Sequence, residues 1–261
     1  GSIRIGRHVM KMAAENITPV TLELGGNDAG ILLDDAPLSP EFFQKLYISC
    51  FLTSGQICMA LKRLYVPRSL FDDVVDGLSE VIDRQVVGDG LKEGVTMGPL
   101  TTARQKGVVS AMLAEAEAAG ADIRYLGKVD DEADFEAGYF LRPSLVVNAN
   151  SDLSVVRDEQ FGPTLPVIAY DSEDEAVAMA NGTEYGLSSS VWSADESRAV
   201  TLAERLEAGF TNINSHGPTA MDGLSPFGGV KQSGIGRNFG IEGIQQFQEV
   251  HSISGASGAI F

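Results

Sequence analysis

A thiol and a carboxylate, 35 residues apart, carry the reactive chemistry this chain offers. Cys58 lies in Ser54-Gly55-Gln56-Ile57-Cys58-Met59-Ala60, whose small residues leave room for an exposed thiol, and Glu23 lies in Leu22-Glu23-Leu24-Gly25-Gly26. A thiol with an ordinary pKa near ~8.5 is a few per cent ionised at neutral pH, and that fraction attacks carbonyl carbon well. A carboxylate nearby then activates water to hydrolyse the resulting thioester. The competing reading of a lone Cys is a small apolar side chain in a core. Cys50 reads that way, because it shares a helical-period apolar face with Phe42, Phe43, Leu46, Tyr47 and Phe51. Cys58 follows Ser54-Gly55, where the period breaks, and polar Gln56 stands two residues before it. Glu23 is either an outward-facing strand residue or a site group, and the residues alone leave both readings open.

The elements that must position these groups follow from periodicity and punctuation. Residues 2–16 read as a helix, 20–24 as a strand running into two glycines, and 30–33 as another strand. Ser39-Pro40 supplies an N-cap and an N1 proline for a helix ending near Gly55. Residues 64–66 form a short strand. Phe71, Val74, Val75, Leu78 and Ile82 make one apolar helical stripe; Val108, Val109, Met112, Leu113 and Ala116 make a second, followed by a strand near 123–126. Further on, 164–170, 173–181, 187–192, 195–206 and 210–214 alternate strand, helix, strand, helix, strand. This alternation predicts an α/β fold, a largely parallel twisted sheet flanked by helices. The acidic stretch 130–136 reads as a solvated loop. Gly234-Ile235-Gly236-Arg237-Asn238-Phe239-Gly240 imitates a dinucleotide fingerprint, but its third glycine comes one residue late and no clear strand precedes it, so it reads as an irregular loop near the active site.

Composition narrows the class. At 44% hydrophobic and 21% charged residues, the chain is that of an ordinary globular protein. A net charge of −17 repels phosphate backbones and anionic lipid, which argues against nucleic-acid and membrane-surface partners. No apolar run approaches the ~18 residues of a spanning helix. Two cysteines with other roles give no disulfide framework and fit a reducing, cytoplasmic setting. His8, His216 and His251 are too scattered to suggest a zinc site, so no metal is expected.

Four motifs, in order, carry a resemblance. Leu22-Glu23-Leu24-Gly25-Gly26, Gly55-Gln56-Ile57-Cys58 with Ala60 and Arg63, Glu159-Gln160-Phe161-Gly162-Pro163, and Pro226-Phe227-Gly228-Gly229-Val230-Lys231-Gln232-Ser233-Gly234-Ile235-Gly236-Arg237 resemble the NAD(P)-dependent aldehyde dehydrogenase superfamily. The resemblance runs over nearly the whole chain and implies its C-terminal, catalytic portion: family members are nearly twice as long, and the part not matched would hold most of the Rossmann-like cofactor domain and an active-site asparagine. It implies that residues 1–23 end the dinucleotide-binding domain, that 24–245 form the catalytic domain, and that 246–261 run toward an oligomerisation strand, with self-association as dimer or tetramer. It also implies roles. Cys58 is the nucleophile, Glu23 the base that activates water, and Glu249 a second carboxylate that tunes the first. Of the NAD or NADP cofactor, Glu159 holds the nicotinamide ribose, Phe161 packs beside the ring, the Leu24 carbonyl receives the carboxamide and Ser2 touches the pyrophosphate.

Asp158, Gln160 and Asn238 depart from the family's usual residues, and none touches the nucleophile or the base. Thr219, Met221 and Leu224, in the segment that lines the aldehyde tunnel in the family, suit a small to medium, mostly apolar aldehyde. Two other functions stay open: a coenzyme A acylating semialdehyde dehydrogenase, which tends to lack the base that Glu23 supplies, and a folded, non-catalytic fragment. The resemblance further implies that these 261 residues alone turn over little or no aldehyde. A papain-type hydrolase fits poorly, because no histidine partner accompanies Cys58.

Overall fold

The computed structural model describes residues 1–255 and 258–259. From the N-terminus, helix α1 (Ile3–Ala14) leads through a two-residue strand β1 (Leu22–Glu23) into β2 (Asp28–Leu32), α2 (Pro40–Phe51), β3 (Leu61–Pro67) and α3 (Phe71–Asp83). Then come β4 (Val86–Val87), α4 (Ala103–Ala118), β5 (Asp122–Tyr125), β6 (Lys128–Val129), α5 (Glu132–Ala137), β7 (Ser144–Val147), α6 (Ser154–Arg157) and β8 (Thr164–Tyr170). The last third runs α7 (Glu173–Asn181), β9 (Ser188–Trp192), α8 (Glu196–Ala203), β10 (Phe210–Ile213), β11 (Gly234–Ile235) and α9 (Gly240–Gln245), with a small hairpin of β12 (Ser254–Gly255) and β13 (Gly258–Ala259).

Seven strands form the central sheet in the order β10-β9-β2-β3-β8-β7-β5. Every neighbouring pair is parallel except β5 with β7, so the expected fold class holds. Side chains alternate across the sheet as strand geometry requires. Leu64, Val66, Leu165 and Val167 join Phe42 and Leu46 of α2 and Val74 and Leu78 of α3 on one face. Tyr65, Ile168, Ile31 and Val191 join Val109 and Leu113 of α4, Ala176 of α7 and Ala199 of α8 on the other. Helix starts obey local capping chemistry: the side chains of Ser2, Ser39, Thr102, Ser172 and Asp195 each accept a backbone N–H of the first turn.

Five expectations are corrected. The strand expected at 20–24 shrinks to Leu22–Glu23, the two residues that find a partner in Gly234–Ile235. Helix α2 stops at Phe51 rather than near Gly55, because Thr53, Ser54 and Gly55 all take positive φ (51°, 58° and 69°), a left-handed run that no α-helix continues. β3 is a fully buried seven-residue strand rather than a three-residue one. Residues 132–137 of the acidic stretch form a short helix, and Lys92 bridges Asp130 and Asp134 at 3.1 Å each. In the glycine-rich segment, Gly234–Ile235 is strand β11 and Gly240 opens the six-residue α9. Among the described residues no helix is long and apolar enough to cross a membrane, and no group of three or more His, Cys, Asp or Glu side chains is arranged to hold a metal.

Candidate active site

The nominated residues collect where neighbouring parallel strands begin. Gly25 and Gly26 precede β2, Cys58 precedes β3, Glu159 and Phe161 precede β8, and Leu187 precedes β9. Since β9, β2, β3 and β8 lie side by side, their amino ends gather these loops along one edge of the sheet. This is the opposite edge from the carboxyl ends where open α/β sheets usually bind ligands.

The Cys58 loop is held in an unfavourable backbone shape. Of three successive left-handed residues, the non-glycine Thr53 and Ser54 cost about 1–3 kcal/mol each and persist only where the surroundings hold them. Here Ser54 Oγ donates to the Gly98 carbonyl at 2.8 Å, and Gln56 Oε1 accepts from the backbone N–H and hydroxyl of Thr101 at 2.8 and 2.9 Å. From the other side, the buried Lys62 Nζ donates to the Gly162 carbonyl at 2.7 Å, tying the start of β3 to the loop that carries Glu159 and Phe161. Burial pushes the Lys62 ammonium down to about 8.

Cys58 is half-buried and borders a cavity of about 500 Å³, shared with Ser2, Gly25, Arg104, Glu159 and Phe161. Burial raises its pKa, and the charges of Asp28, Glu23 and Glu159 raise it further, against one favourable contact from the Met59 backbone N–H. Glu23 stands in β1 with Oε1 buried and without a hydrogen-bond partner. Burial raises its pKa as well; the Arg237 guanidinium opposes that shift. Such a carboxylate takes up a proton more readily than a solvated one. Glu159 is mostly buried, which raises its pKa, while its Oε1 accepts the Gly26 N–H at 3.1 Å.

Gly25 and Gly26 are required by close approach. A Cβ on Gly25 would meet Glu159 Oε2 at 2.4 Å, and one on Gly26 would meet the Cys58 carbonyl oxygen at 2.3 Å. The glycine pair therefore lets β1, the Cys58 loop and the Glu159 loop pack against one another.

The other nominated residues divide. Ser2 caps α1 and lines the cavity. Phe161 lines it too, with φ at 49°. Leu24 is buried against α1, where a Cβ on Gly6 would strike its Cδ1 at 2.6 Å. Glu249 is exposed beyond α9 and makes no hydrogen bond or ion pair with the described residues, so it is not joined to Glu23 among them. Of the proposed tunnel residues, Met221 packs with Ile57, Cys58, Met59, Leu187, Phe210 and Phe227. Thr219 and Leu224 are exposed, Leu224 to 86%, because the 216–224 segment turns outward around Met221. The oligomerisation segment rests in part on residues 256–257 and 260–261, which lie outside the described residues.

Sequence reasoning passed over three buried polar groups beside this site: Asp28, Lys62 and His216, at 2%, 1% and 1% exposure. For Lys62 the signal was available, since Lys62-Arg63 sits inside the apolar run Ala60-Leu61 and Leu64-Tyr65-Val66. Arg63 is satisfied by the carbonyls of Asn27, Met179 and Ala180 and by the Tyr65 hydroxyl, which is how two cations enter a buried strand without ending it.

Comparison with known proteins agrees in one direction. The profile described as the aldehyde dehydrogenase family matches residues 1–253. A geranial dehydrogenase of Castellaniella defragrans is 37% identical over 256 residues, covering 97% of this chain and 51% of that protein. The crystal structure of a betaine aldehyde dehydrogenase from Staphylococcus aureus in complex with NAD+ superposes with a TM-score of 0.87 at 34% identity, covering 95% of this chain and 48% of that one. A Mycobacterium tuberculosis aldehyde dehydrogenase complexed with NAD+ gives 0.88 at 34% identity, covering 95% and 50%. The chain thus spans about half the length of the relatives it matches.

Proposed function

The chain belongs to the aldehyde dehydrogenase family, and from that premise we propose that it carries the catalytic half of an enzyme that oxidises an aldehyde to a carboxylic acid through a thioester on Cys58. The observation that carries this reading is the half-buried Cys58 thiol on a cavity wall with Glu23 and Glu159 near enough to act on its charge. On this reading residues 1–23 complete a cofactor domain, 24–245 form the catalytic domain and 246–261 lead into an interface between copies of the protein.

The Cys58 sulfur bonds to the aldehyde carbon as the carbonyl π bond opens, and the carbonyl oxygen takes up the proton that the thiol gives up, giving a thiohemiacetal. The site residues fit NAD or NADP at its reactive end. Gly25 leaves a cradle that a side chain would fill, and one Glu159 oxygen is held by the Gly26 N–H, which supports the carboxylate as an acceptor for ribose hydroxyls, with Phe161 and Ser2 on the same cavity wall. NAD(P), when bound there, would supply the acceptor for the hydride lost as the adduct on Cys58 is oxidised to a thioester, the hydroxyl proton passing to water. Glu23 then draws a proton from water as the water oxygen bonds to the acyl carbon, the carbon–sulfur bond breaks, and the Cys58 thiolate departs. The raised pKa of Glu23 suits this work, because a base is most effective when its pKa lies nearer the working pH. The apolar wall of Ile57, Met59, Met221 and Phe227 favours an aldehyde with an apolar body.

A coenzyme A acylating enzyme shares the first half of this sequence but has no need of a water-activating base, so a Glu23 with one buried oxygen left without a hydrogen-bond partner favours hydrolysis. The test is to react the intact protein's Glu23→Gln variant with aldehyde and NAD(P), then weigh the peptide carrying Cys58. An acyl mass added to Cys58 that persists while product release falls by about 10²–10⁴-fold is expected. Unslowed hydrolysis in that variant would contradict the role of Glu23.

A further inference from the structure

A chain of buried polar side chains runs through the core behind the nucleophile loop. Trp192 Nε1 donates to Ser190 Oγ at 2.9 Å, and Ser190 Oγ lies 2.9 Å from His216 Nδ1. An indole nitrogen only donates, so Ser190 accepts from Trp192 and its own hydroxyl hydrogen is free for His216 Nδ1. A serine oxygen has a second lone pair for an Nδ1–H, but that tautomer would turn a bare Nε2 toward a carboxylate, so the Asp28 oxygen favours the imidazole proton on Nε2. Nε2 has no hydrogen-bond partner, is fully buried, and faces Asp28 Oδ2 at 3.5 Å. The same carboxylate accepts from the Ser188 backbone N–H at 3.1 Å and from the Ser188 hydroxyl at 2.7 Å. The Ser188 N–H and hydroxyl and the His216 Nε2 thus all face one carboxylate.

That carboxylate stands next to the nucleophile's backbone. A Cβ placed on Gly26 would lie 2.3 Å from the Cys58 carbonyl oxygen and 2.9 Å from Asp28 Oδ1, so one glycine separates the two groups. The His216 carbonyl also accepts from Ser49 of α2 at 3.3 Å, which anchors the start of the segment that brings Met221 onto the Cys58 cluster.

We propose that Asp28 and His216 act as a buried positioning pair behind the nucleophile loop, with the Asp28 charge restraining the thiol of Cys58 and the His216 Nε2–H limiting how strongly it does so. The inference rests on Cys58 being the nucleophile. The carboxylates that act on Cys58 are Glu23 on β1, Glu159 before β8 and Asp28 itself on β2; Arg4 of α1, Arg104 of α4 and the Gly1 ammonium line the same cavity, and Lys62 on β3 is the buried cation that feels both Asp28 and Glu159. Arg63 borders the same small cavity as Asp28 and is occupied by carbonyls and a hydroxyl. His216 Nε2 is thus the ring nitrogen that faces the Asp28 carboxylate, beside the two donors of Ser188.

The experiment measures the pH dependence of iodoacetamide labelling at Cys58 in the intact protein, read on the Cys58 peptide by mass spectrometry, for wild type, Asp28→Asn, His216→Phe and Ser188→Ala. Asp28→Asn removes the charge, and its labelling midpoint moves down by roughly one unit, about tenfold in rate below the midpoint. His216→Phe and Ser188→Ala each take a donor from the carboxylate and move the midpoint up. A folded Asp28→Asn protein whose midpoint matches wild type overturns the proposal. Should that variant fail to fold by circular dichroism, Ser188→Ala decides: an upward shift supports the pair and an unchanged midpoint overturns it. A wild-type Cys58 that resists labelling, in an enzyme that keeps its turnover as Cys58→Ser, overturns the nucleophile assignment and the pair with it; a Cys58 that labels normally with an immovable midpoint overturns the pair alone.

Discussion

Two thiols eight residues apart in one chain meet opposite fates. Cys50 closes helix α2 inside the core, 1% exposed among Phe51, Leu46 and Leu64, and burial lifts its pKa to about 12. Cys58 lies past a left-handed turn, half-buried on the wall of a cavity with carboxylates around it. What separates them is the backbone between: Thr53, Ser54 and Gly55 end the helix and swing the chain out of the core, and Ser54, Gln56 and Lys62 fasten it there. Reactivity here belongs to the loop that presents the sulfur. Both thiols have raised pKa values, yet only Cys58 has room for a substrate beside it.

Removing each sulfur breaks the comparison most sharply. Cys58→Ser in the intact enzyme lowers kcat by at least about 10³-fold while leaving the fold intact, because an alcohol without a strong base is a far weaker nucleophile. Steady-state kinetics with an aldehyde and NAD(P) checks this. Cys50→Ala leaves kcat unchanged and costs stability instead, as described last in this series.

Lys62 supports both regions, and its substitution gives the next largest effect. The folded state holds this ammonium near 8 against an ordinary 10.5. Between those values the unfolded chain binds a proton that the folded chain does not, so stability rises with pH through that window, and below about pH 8 the penalty for burying the charge is present in full. Lys62→Met removes this dependence. The stability of wild type relative to the variant therefore increases from pH 7.5 to pH 10, by no more than about 3 kcal/mol. Urea unfolding at the two pH values measures it, and a difference that stays flat would show that Lys62 is not charged in the unfolded chain alone.

The smallest effect is at Cys50. Cys50→Ala deletes a sulfur from a packed interior and costs about 1 kcal/mol, visible as a lower urea midpoint with an unchanged kcat.

Much of this architecture was legible before the fold was known, for reasons that are local. Ser39-Pro40 announces a helix start through chemistry confined to four residues, and the Phe71, Val74, Val75, Leu78, Ile82 stripe is one face of a single helix. Strand β7 went unread because its four residues are buried on both faces and so show no alternation. The same division runs through the site. Cys58 and Glu23 were nominated by their immediate neighbours, a broken helical period and a glycine pair. Asp28, Lys62 and His216 were missed because their meaning depends on partners 160, 100 and 26 residues away. Glu249 illustrates the converse: a role carried by resemblance alone lands on an exposed side chain that has no partner among the described residues.

The account stands on the claim that Cys58 is presented for chemistry and Cys50 is not. Iodoacetamide labelling of the intact, folded protein, with each cysteine peptide quantified over time, tests it most directly. Cys58 is expected to label progressively at neutral pH, while Cys50 stays unmodified until denaturant is added. Equal, slow labelling of both would mean two core thiols and no nucleophile at this site.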